Sequence, residues 1–186
     1  MAAVFGTTSM EAIVITFERR HGALERLLLA PISLRSLLIG KVLGGAVFGG
    51  MISGVMLLVT ITMFGMVLVD PLLFFVALVL TLLTLSTLGA LVAVSVTEVF
   101  EAQTLSNFFR FPMIFLCGVF IPVQAMPLML QVVAYFLPLT YSVNALRMAT
   151  LEVPELLVSF ANIGALVAFL FLMLAACEWV LKRSMA

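Results

Sequence analysis

The sequence is short of charge. Asp, Glu, Lys and Arg make up 10% of it, against 65% hydrophobic residues, and its mean hydropathy is +1.33. A soluble domain of ordinary composition carries about 25% charged residues, so this chain lacks the polar surface that water demands. Nine basic residues balance nine acidic ones; without a basic excess, nothing points to nucleic acid as a partner. One histidine, His21, and two cysteines, Cys117 and Cys177, leave no group with metal-ligand spacing. The cysteines fall in separate apolar segments near opposite faces of the expected membrane domain, which argues against a disulfide between them. Residues 1–17 contain no basic residue, so they lack the positive region of a cleavable signal peptide. Alternation of polar and apolar residues is also missing, which argues against a barrel.

What the chain has is apolar length. Continuous runs cover residues 1–17, 37–69, 71–96 and 156–181, with a shorter one over 108–123. In lipid such a run reads as a helix, because a helix satisfies its own backbone hydrogen bonds. Asp70-Pro71 marks a tight turn between the second and third runs. The expected fold is an all-α polytopic membrane protein. It has one transmembrane domain over residues 1–186, about five spanning helices, and a short re-entrant helical hairpin before the last.

Orientation follows from Lys and Arg. Strict alternation puts Arg19, Arg20, Arg26, Arg35 and Lys41 on the same side as the segment around residues 97–110, with Arg110, and the tail with Lys182 and Arg183. The positive-inside rule makes that side cytoplasmic and the amino terminus external. The long segment with Arg147, Glu152 and Glu155 then lies outside.

Several stretches stand out within this frame. Residues 18–31 form a short amphipathic segment in which Leu24, Leu27 and Leu28 share one helical face, with Glu25 and Arg26 off it, and Pro31 ends it. Such a segment rests on a membrane surface, docks into a partner's groove, or simply sets topology. The run 37–69 carries Gly40, Gly44, Gly45, Gly49, Gly50 and Gly54 at small-xxx-small spacings, which serve packing within the subunit or a dimer contact. Gly40-Lys41 is not a phosphate loop, since Arg35 stands where its first glycine belongs. Residues 108–147 contain Pro112, Pro122, Pro127 and Pro138 between apolar stretches too short to span separately. They fit a segment that enters the outer leaflet and turns back, with Gln124 and Gln131 near the water layer. Glu11 lies inside the first apolar run and must face other helices, water or a translocation path. The hydroxyls of Thr81, Thr84, Ser86, Thr87 and Ser95 are expected to bond their own helix backbone.

Two of these stretches resemble the type 2 ABC exporter permease family. One is the run from Glu18 to Ser33, ERRHGALERLLLAPIS, followed by Gly40-Lys41. The other is Leu116-Cys117-Gly118-Val119-Phe120-Ile121-Pro122, then Met126-Pro127, then Leu137-Pro138-Leu139-Thr140-Tyr141 and Ala145-Leu146-Arg147. Their order and separation are similar to those of the family, essentially along the whole chain.

The resemblance implies a cytoplasmic coupling helix at about 18–31, in which Glu18, Arg19, Gly22, Leu24, Glu25, Arg26, Leu27, Leu28 and Pro31 meet an ABC ATPase subunit. It implies a re-entrant region at about 118–147, with Gly118, Pro122, Pro127, Pro138, Tyr141 and Arg147. It further implies a second permease copy, as homodimer or heterodimer, in the cell membrane. This chain would bind no cofactor, and ATP and Mg would be held by the partner ATPase. Family members have six spanning helices and an amphipathic helix before the first, whereas the similarity here starts inside the second; Cys117 also stands where the family often has a small hydroxyl residue. The function so implied is ATP-driven export by alternating access. The competing readings are a truncated or split permease acting as a non-transporting assembly partner, and a secondary transporter, for which the single deep carboxylate and absence of an internal repeat are poor support.

Overall fold

The computed structural model describes residues 2–21, 34–65, 68–96, 98–151 and 156–185. Among them are seven α-helices and no strand. They are α1 (Ala2–Arg20), α2 (Leu34–Phe64), α3 (Pro71–Ser95), α4 (Val99–Leu116), α5 (Leu128–Tyr135), α6 (Pro138–Leu151) and α7 (Leu156–Met185), with a single 3-10 turn at Val123–Ala125. The chain is therefore an all-α polytopic membrane protein.

Among the described residues, three helices are long and apolar enough to cross a membrane: Ser36–Phe64 in α2, Pro71–Ser95 in α3 and Val158–Val180 in α7. Of the five expected spans, the remaining two correspond to α1 and α4, of 19 and 18 residues. Both are diluted by polar side chains, Glu11, Glu18, Arg19 and Arg20 in the first and Glu101, Gln103, Asn107 and Arg110 in the second.

Helix α3 is the hub. It packs against α1, α2, α6 and α7, and its second half is buried almost without interruption from Thr84 to Ala90. Asp70 starts it: its carboxylate accepts the Leu73 amide at 3.1 Å, and Pro71 occupies the first turn, where no amide is needed. The hydroxyls of Thr81, Thr84, Thr87 and Ser95 donate to the carbonyls of Ala77, Leu80, Leu83 and Leu91. A helix rich in hydroxyls thereby presents an apolar surface to lipid and neighbours. Ser86 departs from that expectation: it donates across to Val42 O on α2 at 2.9 Å.

The glycines of α2 divide between two roles. Gly45 and Gly49 are buried. A methyl at Gly45 would overlap Glu11 and Ser86, whereas Gly40, Gly44 and Gly54 have open space where a Cβ would stand. On α3, a Cβ at Gly89 would come within 2.6 Å of the Thr8 carbonyl. Missing side chains at Gly45 and Gly89 let α1 approach both its neighbours, as small residues do at membrane helix contacts.

One boundary differs from the sequence reading. The expected cytoplasmic loop at 97–110 is, from Val99, the first three turns of α4, so Arg110 lies well inside a helix rather than at its start. The reason is local amphipathicity: Ala102 and Ser106 are buried while Glu101, Gln103 and Thr104 are exposed. Pro112 lies within α4 and does not end it. The helix ends at Cys117, followed by Gly118 at a φ of +89°, a left-handed conformation that glycine adopts without strain. Cys117 and Cys177 are both buried, unbridged and in different core clusters.

Candidate functional site

Two groups of polar residues lie at opposite ends of the bundle. At one end, Glu18 near the end of α1 and Lys41 near the start of α2 form a salt bridge. Ile15, Leu38 and Val42 pack beside it with Ala93, Val94 and Cys177. Trp179, Val180 and Arg183 border a cleft with Val94 and Ser95, so the ends of α1, α3 and α7 and the start of α2 share one level. At the other end, the amides of Val69 and Asp70 donate to Ala149 O at 3.1 and 3.2 Å, and Arg147 Nη2 donates to Gly118 O at 3.2 Å. Glu18, Lys41 and Arg183 thus share one end of the molecule, whereas Arg110 is the twelfth residue of α4 and lies away from it.

The segment between Gly118 and Arg147 is a closed unit. Gly118 turns the chain back over α4, and the Val123 side chain covers the space where a Gly118 side chain would be. Pro122 precedes the 3-10 turn, and Pro127 precedes α5, its carbonyl accepting the amides of Leu130 and Gln131. Gln131 serves the backbone of the preceding turn. Its Nε2 folds back to Met126 O at 2.8 Å and toward Gln124 O at 3.4 Å, which satisfies carbonyls that the chain reversal leaves without a helical partner.

Helices α5 and α6 meet at 90°. Pro138 opens α6 and has no amide to give, so side chains of α6 supply donors to the end of α5. Thr140 Oγ1 donates to Ala134 O at 2.5 Å, and Tyr141 Oη to Tyr135 O at 3.0 Å. The Tyr141 ring also lies against Phe169 of α7, centroids 5.9 Å apart. Sequence reasoning singled out Tyr141 and missed Thr140; the available signal was a hydroxyl two residues after a helix-breaking proline.

The bend lies deep. Ala149 is level with Asp70, and Pro138 is eleven residues earlier on α6, about 17 Å at 1.5 Å per residue. Leu139 and Val143 accordingly pack with Leu82, Leu85 and Leu88, beyond the midpoint of α3. The apex of this segment thus reaches halfway along a helix long enough to span a hydrocarbon core of about 30 Å. Met126 and Ala134 are buried, and Leu130 and Val133 lie on the exposed side of α5.

Glu11, the acidic residue inside the first apolar run, is buried at 7% exposure. It points between α2 and α3, where it meets Gly45, Ser86 and Gly89. Beside it a cleft of about 360 Å³ lies between α1 and α2, bordered by Glu11, Lys41, Gly40, Gly44 and Phe48. Of the expected coupling residues, Glu18 takes part in the salt bridge and Arg19 lies in the last turn of α1. Gly22, Leu24, Glu25, Arg26, Leu27, Leu28 and Pro31 lie outside the described residues.

Compared with known proteins, residues 1–151 match the family described as ABC-2 type transporter. No curated protein matches the chain.

Proposed function

This chain belongs to the ABC-2 type transporter family, as a permease component of an ABC transporter and a multi-pass membrane protein; we propose that it exports its substrate by alternating access, driven by a separate ATPase subunit. In this reading the permease domain occupies residues 1–186 of a cytoplasmic-membrane protein and works beside a second permease copy. ATP and Mg are held by the partner, and this chain supplies the path and the moving parts.

The observation that carries the proposal is the family match over 151 residues, a span that contains both motif-bearing stretches. The Glu18–Lys41 ion pair supports the mechanical part. It joins the end of α1 to the first part of α2, on either side of the segment that carries Leu24, Leu27 and Leu28. A push delivered to residues 18–31 then reaches α1 and α2 as one body. Both helices press on α3, α1 through Gly89 and α2 through the Ser86 bond. At the far end the closed unit from Gly118 to Arg147 seals the path, with Pro122, Pro127, Pro138 and Tyr141 fixing its turns.

Co-expression with an ABC ATPase subunit from the same genome tests the assignment. The wild-type chain is expected to co-purify with that ATPase. The double variant Arg26→Glu, Leu27→Asp is expected to insert normally and lose the partner. A double variant that retains the ATPase at the wild-type ratio would show that residues 18–31 do not form the contact.

A further inference from the structure

We infer that the cleft between α1 and α2 binds an organic ammonium group carried on an apolar chain, received sideways from the membrane. The cleft opens on the outside of the bundle. Its rim is apolar and exposed: Met10 and Val14 on α1 and Phe48 on α2 are 45%, 44% and 41% exposed. Its inner side is lined by Glu11, Gly45 and Lys41. Among the described side chains the charged groups here are Glu11, Glu18 and Lys41, and Lys41 is joined to Glu18. The three leave one formal negative charge beside a lipid-side opening.

A carboxylate at this depth is costly in lipid unless a cation or water meets it. Glu11 is level with Gly89, six residues before the end of α3, or about 9 Å from that end. A headgroup-sized cation reaches this level with its chain still among lipid tails. The Phe48 ring adds a second attraction, since aromatic faces favour ammonium ions and most of all desolvated ones. The volume of about 360 Å³ suits a small headgroup rather than a whole lipid. Gly40 and Gly44 keep the floor open: a Cβ at either meets nothing within 4 Å, so the space there serves no packing inside this subunit. Binding needs no transport cycle, so the inference stands or falls apart from the export reading.

The test uses the full chain purified in dodecyl maltoside, without an ATPase. Labelled dodecyltrimethylammonium is the probe, and dodecanol is its uncharged competitor. Saturable binding is expected, with dodecanol a poor competitor. Glu11→Gln should weaken binding about tenfold or more, as expected for loss of a charge-assisted contact. Gly44→Leu fills the floor and should weaken binding similarly, while Gly54→Leu, equally open but outside the cleft, should leave it unchanged. Because the two cleft variants act independently, failure of one to fold leaves the other decisive. Phosphatidylethanolamine that displaces the probe identifies a lipid headgroup as the source of the ammonium group; no displacement identifies a soluble amphiphilic amine. Equal binding by Glu11→Gln and the wild type, or displacement by dodecanol as effective as by unlabelled cation, would overturn the inference.

Discussion

Ser86 and the two buried glycines that bring α1 into the bundle show how few atoms hold membrane helices together. With lipid outside, burial of apolar surface does not by itself drive helices together, so close backbone approach and interhelical hydrogen bonds carry more of the work. Ser86→Ala removes the bond to Val42 O and should destabilise the chain by about 0.5–1.5 kcal/mol in denaturant titration in detergent. Gly89→Ala should cost about 1–3 kcal/mol, because the new methyl meets the Thr8 carbonyl, which moves only with the whole of α1. Gly54→Ala meets nothing and should be neutral, or stabilising by up to about 1 kcal/mol through helix propensity. Equal effects at Gly54 and Gly89 would contradict the packing described for α1. The small-xxx-small spacing revealed that α2 has close contacts but not which glycines make them. That choice depends on the rotation of α2 about its axis, which a helix apolar all round does not encode. Ser86 escaped detection for the same reason: nothing local separates it from Thr84 or Thr87, which bond their own helix.

At the scale of elements, the unit from Gly118 to Arg147 is the most elaborate part of the chain. Prolines predicted its breaks, and the apolar though interrupted stretches between them predicted that it would not be a free loop. What prolines do not reveal is how the freed carbonyls are served. Thr140, Tyr141 and Gln131 do this through contacts five to seven residues away. Thr140→Val should therefore loosen the bend at a cost of about 1 kcal/mol. Faster hydrogen exchange is expected in α5, with α3 unchanged. Uniform acceleration through α3 and α5 would show that the hairpin is no separate unit. Arg147→Met should free the outer closure in the same way, since it removes the donor to Gly118 O. Helix α4 was misread at its start because Glu101, Gln103 and Thr104 look like loop residues. In the fold they form the exposed side of a helix whose Ala102 and Ser106 are buried.

At the scale of the whole molecule, apolar run length defined the helices, and the contacts show which helix ends lie together. The Glu18–Lys41 pair and the Arg183 end of α7 share one level, while Asp70, Gly118 and Arg147 share the other. With the basic end inside, a cysteine placed at position 152 should react with an impermeant external reagent, and one at position 184 should not; the reverse pattern would invert the orientation. The central claim is that ATP hydrolysis in a separate subunit moves this chain through residues 18–31. Its most direct test places a single cysteine at position 133 on α5, with Cys117 and Cys177 replaced by alanine, in vesicles that also contain the ATPase. The measurement is the labelling rate before and after ATP. The account predicts an ATP-dependent change in the wild-type background that disappears with Arg26→Glu, Leu27→Asp. A rate indifferent to ATP in the wild-type background, or a change that survives the double substitution, would contradict it.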